Sequence, residues 1–255
     1  KRAFCAACNY KCLLTHGKHN SGRQPSWDKI LALQDALRDP ECNVTMWIDT
    51  DVVLRTAFSL PPLMRTSMAA TRDYGGLNCG ILLLTRSAAS ETLLRLAWRE
   101  ARFDSAPGLE QSAMRLILGN LAPLSSQMTV MENLVRFSPL ATFVPPAVRR
   151  NRTLRQFTPL YHAAGCSLLP KRKEACAHYF KKELTLAAAN LHPGRCPPID
   201  PHLLAARPLA NRDTFIAISE GGKLLTSCEW QGRADGSKRR LCPLTKGAAV
   251  SVNTS

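Results

Sequence analysis

The sequence predicts an α/β fold in which helices pack on a layered sheet, and three observations carry that expectation. Short β-branched or apolar runs alternate with longer segments of helical periodicity between Trp27 and Leu118. The chain has 255 residues, 45% of them apolar, enough to bury the core of one large domain. Its longest nearly unbroken apolar stretch, Cys79 to Leu84, falls far short of the roughly 20 residues that a membrane-spanning helix needs.

The elements follow in chain order. Arg2 to Leu14 is an element whose type the pattern leaves open. Trp27, Ile30, Leu31, Leu33, Ala36 and Leu37 recur at helical spacing, with Ser26 as the expected N-cap after Pro25 and Asp39-Pro40 as the stop. Val44 to Ile48, β-branched and aromatic, reads as a buried strand ending on Asp49-Thr50-Asp51. The turn-rich run Tyr74-Gly-Gly-Leu-Asn78 precedes a second strand, Gly80 to Thr85. A helix from Ser87 or Ser90 to Ala101 carries Leu93, Leu94, Leu96, Ala97 and Trp98, and another spans Leu109 to Leu118. Residues 139–159 read as irregular and basic, Leu160 to Cys166 stands out as a separate segment, and a helix follows from Glu174 to Leu191. From Pro193 the texture changes: Pro193, Pro197, Pro198, Pro201 and Pro208 mark a linker, and Thr214 to Trp230 reads as a hairpin around Gly221-Gly222. The expected division is a main domain over 1–192 and a small cysteine-containing extension over 193–255.

A formal charge of +15 invites a nucleic-acid reading, but the basic residues are spread along the chain in short clusters instead of forming a stripe. An anionic small ligand or a solvated basic surface fits that distribution better, and no nucleic-acid partner is expected. The ten cysteines allow disulfides or metal. Cys5-x2-Cys8-x3-Cys12 resembles half a zinc site that only His16 and His19 are near enough to complete. With the sequons at Asn43, Asn151 and Asn253, the cysteines point toward the lumen of the secretory pathway.

The sharpest local chemistry is Trp47-Ile-Asp49-Thr-Asp51. Two carboxylates at i and i+2 behind an apolar strand can present oxygens together to one hard divalent cation at the edge where α/β sheets bind ligands. The same triplet also occurs as a solvated turn. His162, taken by itself, reads as a half-buried histidine packed beside Tyr161.

Taken in order, Ser26-Trp-Asp-Lys29, Met46-Trp-Ile-Asp49-Thr-Asp51, Gly76-Leu-Asn78-Cys-Gly80, Glu110-Gln111-Ser-Ala113 and His162-Ala-Ala-Gly165-Cys166 closely resemble glycosyltransferase family 34 from about Arg2 to Leu191. The resemblance implies a GT-A fold, a Rossmann-like sheet that binds a nucleotide sugar (UDP-xylose, UDP-galactose or GDP-mannose class) and Mn²⁺. It implies retaining transfer to a glycan hydroxyl at the lumenal side of the Golgi membrane. Membrane attachment is expected only through an anchor outside this chain, and the expected mode of assembly is a homo-oligomer or a hetero-oligomer with other glycosyltransferases.

By the same resemblance Asp49, Asp51 and His162 hold the metal, and Glu110 and Gln111 lie near the reacting carbon. Asp73, Gly76, Asn78, Gly80 and Gly165 shape the donor pocket, and Cys166 and Cys176 are a disulfide or buried structural thiols. Asp73 also fits a turn aspartate, and Glu110 a helix N-terminal residue favoured by the dipole.

Two positions depart from the family pattern. Glu110 stands where an Asp is usual, and Ser167 stands where a basic residue grips the diphosphate, with Lys171, Arg172 or Lys173 as nearby substitutes. These departures keep open a non-catalytic relative that retains the fold and nucleotide binding. The recognisable pattern begins only near Arg2 to His16, so the first strand-helix unit of the fold is expected to be missing.

Overall fold

A mixed five-stranded sheet organises the chain. The computed structural model describes residues 1–13, 22–73, 76–105, 108–131, 134–137, 158–163, 173–199, 206–210, 219–220, 223–224, 229–232 and 238–241. Strands β1 (Val44–Ile48), β3 (Met68–Asp73), β4 (Gly76–Thr85), β5 (Met128–Met131) and β8 (Ala206–Pro208) lie in the order β1-β4-β3-β5-β8. Only β3 and β5 are parallel; the other neighbours are antiparallel. A second sheet of three strands, β2 (Val52–Leu54), β7 (Leu160–His162) and β6 (Val135–Phe137), stands beside it. The expected α/β class therefore holds, with a mixed sheet.

Alternation along β4 builds two cores, because successive side chains on a strand point to opposite faces. Leu82 and Leu84 join Ile30, Leu33 and Leu37 of α2 (Asp28–Arg38), Leu93 and Leu96 of α3 (Ala88–Arg99) and Ile117 of α4 (Leu109–Asn120). Ile81 and Leu83 face Phe4 of α1 (Arg2–Cys8), Phe58, Leu63 and the inner side of the small sheet. Helix α5 (Lys173–Asn190) closes the other side of that sheet through Cys176 and Ala187, and Glu183 pairs with Arg55 at 3.0 Å. Among the described residues no helix is long and apolar enough to cross a membrane.

Several expectations change. Ser26 does not cap α2: it lies in a 3₁₀ turn (Pro25–Trp27) that leads straight into the helix, whose N-cap is Trp27. Ser87 does cap α3, accepting a hydrogen bond from the Ser90 amide. Val44–Ile48 is not a fully buried strand, since all five residues are half-buried and the strand pairs on one side only, with β4. Gly76 to Asn78, read as turn, begins β4. Gly76 takes φ 116°, a left-handed conformation that glycine adopts freely. Strands β2, β3, β5 and β6 escaped the sequence reading; they are short, and buried neighbours settle them more than alternation does.

The proline-rich segment reaches back onto the sheet. Cys8 of α1 is disulfide-bonded to Cys196, so the expected zinc half-site is corrected: its middle cysteine is already committed. The Ser59 amide donates to the Pro197 carbonyl at 3.2 Å, Ile199 is buried, and β8 extends the sheet edge along β5. Cys176 is disulfide-bonded as well; Cys166 lies outside the described residues. Beyond β8 the strand pairs β9 (Ser219–Glu220) with β10 (Lys223–Leu224) and β11 (Glu229–Gly232) with β12 (Lys238–Leu241) are antiparallel; the expected Gly221-Gly222 turn lies outside the described residues.

A cross-link between positions 188 residues apart removes much of the unfolded chain's freedom. Cys8→Ser is expected to cost about 2–5 kcal/mol, read as a lower denaturation midpoint, with the same loss in Cys196→Ser and no further loss in the double variant.

Candidate metal centre

The centre forms where the chain passes from one sheet to the other. The Val52 amide donates to the Asp49 carbonyl at 3.2 Å, so Asp49-Thr50-Asp51-Val52 is a tight turn joining β1 to β2. Val52 pairs with His162 across β2 and β7, and the Ala163 amide donates to the Asp51 carbonyl at 3.0 Å. That register, and nothing local in the sequence, brings His162 beside Asp51.

Strand β4 supplies the floor. One step along β3, from Ala70 to Thr71, is matched by four along β4, from Leu82 to Asn78, so Cys79, Gly80 and Ile81 bulge away from their β3 partner. Bulges of this kind re-aim backbone groups beside functional sites. Here the Gly80 carbonyl accepts from the Asp49 amide at 2.8 Å and the Gly80 amide donates to Oδ1 of Asn78 at 2.9 Å. The Cys79 amide donates to Oε1 of Gln111 at 2.8 Å.

Asp49, Asp51 and His162 offer one ligand atom each, all within 4.8 Å of one another. Nε2 of His162 lies 3.2 Å from Oδ1 of Asp51, close to the roughly 3 Å that separates adjacent ligands about 2.1 Å from one octahedral cation. A Cβ on Gly80 would lie 2.5 Å from His162 Cε1 and 3.0 Å from Asp49 Oδ2, so the cluster closes around a position that only glycine fits. Two carboxylates and an imidazole within this spacing fit a divalent transition metal. Burial alone pushes the Asp51 carboxyl up, but the hydrogen bond and charge of His162, with smaller help from Lys1, hold it below the ordinary carboxylate range.

The remaining candidate residues are placed differently. Glu110, at the N-terminal turn of α4, is 5% exposed and its Oε1 lies 2.7 Å from Nζ of Lys29. Lys29, itself 3% exposed, also reaches Oδ1 of Asp49 at 3.1 Å and the Cys79 carbonyl at 3.3 Å. Burial alone lowers the Lys29 ammonium, but Glu110 first and Asp49 second outweigh it and raise the group above its ordinary value. Cys79, buried in the same place, has its thiol pushed up to about 12, chiefly by burial. Asp73 accepts from Nδ2 of Asn78 at 2.8 Å and lies 3.5 Å from Nη2 of Arg115, whose Nε donates to the Leu77 carbonyl at 2.7 Å. Asp73, Asn78 and Arg115 thus brace the start of β4. Gly165, Ser167 and the basic substitutes Lys171 and Arg172 lie outside the described residues.

Three participants went unassigned in the sequence. Lys29 and Arg115 sit on the apolar faces of α2 and α4, where a charged residue needs a buried partner, and that misfit was the available signal. Nζ of Lys1 donates to the Ile48 and Asp49 carbonyls; no local pattern announces it.

Gly80→Ala is expected to weaken divalent-cation binding about 10- to 100-fold in calorimetric titration, because His162 or Asp49 must move to make room. The depressed Asp51 carboxyl contributes stability that is fully present above its ordinary value near ~3.9 and is lost as the pH falls through the lower folded value. Asp51→Asn should therefore flatten the acid limb of a melting-temperature profile taken from about pH 2 to 6. Comparison with protein-family models, with curated proteins and with solved structures gives no match to this chain.

Proposed function

We propose that the chain is a GT-A glycosyltransferase that moves a sugar from a nucleoside-diphosphate donor to a glycan hydroxyl with retention of configuration. The observation that carries this reading is the convergence of Asp49, Asp51 and His162 on Gly80, where the strand β1 leaves the sheet. Asp49 and Asp51 supply the anionic oxygens for a divalent cation and His162 the imidazole. When bound there, Mn²⁺ offsets the charge of the donor diphosphate and of the leaving nucleoside diphosphate.

The chain's own residues do the positioning. Gln111 is held against the β4 bulge by the Cys79 amide, one residue before Gly80. Asp73 and Asn78, locked to each other and to Arg115, form a rigid polar wall at the start of β4, suited to sugar hydroxyls. Retention and the donor classes follow from the family resemblance of the five motifs. Lumenal localisation is supported by the Cys8–Cys196 disulfide, by the disulfide at Cys176 and by the exposed sequon residue Asn43.

One observation favours a second reading. Glu110, expected near the reacting carbon, is buried in an ion pair with Lys29. A non-catalytic relative that binds the metal and nucleotide through Asp49, Asp51 and His162 is compatible with that pairing.

Donor hydrolysis and transfer separate the two readings. With Mn²⁺ and a panel of UDP- and GDP-sugars, a thermal shift identifies the donor, and product release then reports turnover. Asp51→Asn is expected to abolish both the shift and turnover. Gln111→Ala is expected to lower kcat by about 10-fold or more with little change in donor affinity, because it acts on the transition state. Donor binding without any release of nucleoside diphosphate establishes the non-catalytic reading.

A further inference from the structure

The metal reading of Asp49, Asp51 and His162 leaves unexplained how Asp49 is held. Its Oδ1 accepts from Nε1 of Trp47 at 2.5 Å and lies 3.1 Å from Nζ of Lys29. An ionised carboxylate has about four acceptor sites, two on each oxygen; at Oδ1 the Trp47 hydrogen bond takes one and the Lys29 charge stands against the same oxygen. Oδ2 faces the other way, toward the Gly80 position and His162. Both donors are themselves fixed. The Lys29 ammonium directs its other protons to Glu110 and the Cys79 carbonyl, and the Trp47 ring packs against the helical core with its centroid 5.8 Å from Nζ.

We propose that Lys29 and Trp47 set the cation preference of the centre by occupying Oδ1 of Asp49, so that this residue ligates through Oδ2 alone. The inference rests on the metal reading and adds selectivity to it. Ca²⁺ takes six to eight oxygen ligands and favours carboxylates that lend both oxygens. A small octahedral ion that also accepts imidazole is satisfied by one oxygen from each carboxylate and Nε2 of His162. Lys29 is thus a positioning residue that acts through Asp49.

The test is calorimetric titration of the full chain with Mn²⁺ and, separately, with Ca²⁺. Trp47→Phe removes one N–H from a half-buried strand residue and keeps a ring in place. The paired variant Lys29→Met with Glu110→Gln removes one charge of each sign, so that neither is left alone in the core. The preference for Mn²⁺ over Ca²⁺ is expected to narrow in each variant, and by about tenfold or more when all three substitutions are combined, because both Asp49 oxygens become available to the larger ion. Melting curves without added metal accompany each titration, since a merely structural role moves those curves and leaves the ratio alone. A wild-type ratio in Trp47→Phe and in the paired variant overturns the inference while leaving the metal reading intact. If the paired variant does not fold, the ratio in Trp47→Phe decides alone. A wild-type chain that binds neither ion overturns the metal reading and this inference with it.

Discussion

The ammonium of Lys29 sits in a core where an uncompensated charge costs several kcal/mol, and the arrangement of four elements follows from satisfying it. Glu110 comes from the first turn of α4, Asp49 from the end of β1 and the Cys79 carbonyl from the bulge in β4, while Lys29 itself stands on α2. None of these can shift without breaking a contact to a buried charge. The two carboxylates more than offset desolvation of the ammonium, so its contribution to stability holds below the ordinary lysine range and is lost only as the pH rises through the higher folded value. This pairing also gives a physical reason for Glu at position 110. The extra methylene carries the carboxylate from the helix to Lys29 at 2.7 Å.

That junction explains why the bulge lies where it does. A regular β4 would pair Cys79, Gly80 and Ile81 with β3 and direct their backbone groups into the ladder. Released from β3, the same groups serve Lys29, Gln111, Asn78 and Asp49. Gly80 then stands at the one point where β4, the Asp49 turn and His162 meet, and the close approach leaves no volume for a side chain. The same bulge therefore serves the packing of the junction and the shape of the metal cluster.

How much of this was legible beforehand depended on whether the signal was local. Helices α2, α3 and α4 were readable because Ile30, Leu33 and Leu37, or Leu93 and Leu96, recur at a helical period and are buried as that period implies. Asp49 and Asp51 were readable because they follow an apolar strand directly. Short strands such as Val52–Leu54 and Met128–Met131 were not, since their assignment comes from the partner across the sheet. The same holds for His162, whose proximity to Asp51 is a property of β2–β7 register over more than a hundred residues of intervening chain. Its motif was visible, but the contact that gives the motif meaning was not. The reach of the proline-rich segment back to β5 and to Cys8 was hidden for the same reason: disulfide pairing cannot be deduced from spacing.

Charge balance at the centre connects structure to chemistry. In a chain of net charge +15, this region gathers Asp49, Asp51, Asp73 and Glu110, and each is met by Lys29, His162 or Arg115, with Lys1 alongside. Asp51 and His162 meet through Oδ1 and Nε2 at 3.2 Å, inside the cluster that could hold a metal ion. Lys29 stands apart from that pair, because its contacts run to Oδ1 of Asp49, to Glu110 and to the Cys79 carbonyl, on the side away from Oδ2. The centre thus divides into a half anchored in the core, held by Lys29, Trp47 and the β4 bulge, and a half formed by Asp51 and His162 across the β2–β7 register. Preorganisation comes from the first half, and the second supplies a carboxylate and an imidazole side by side.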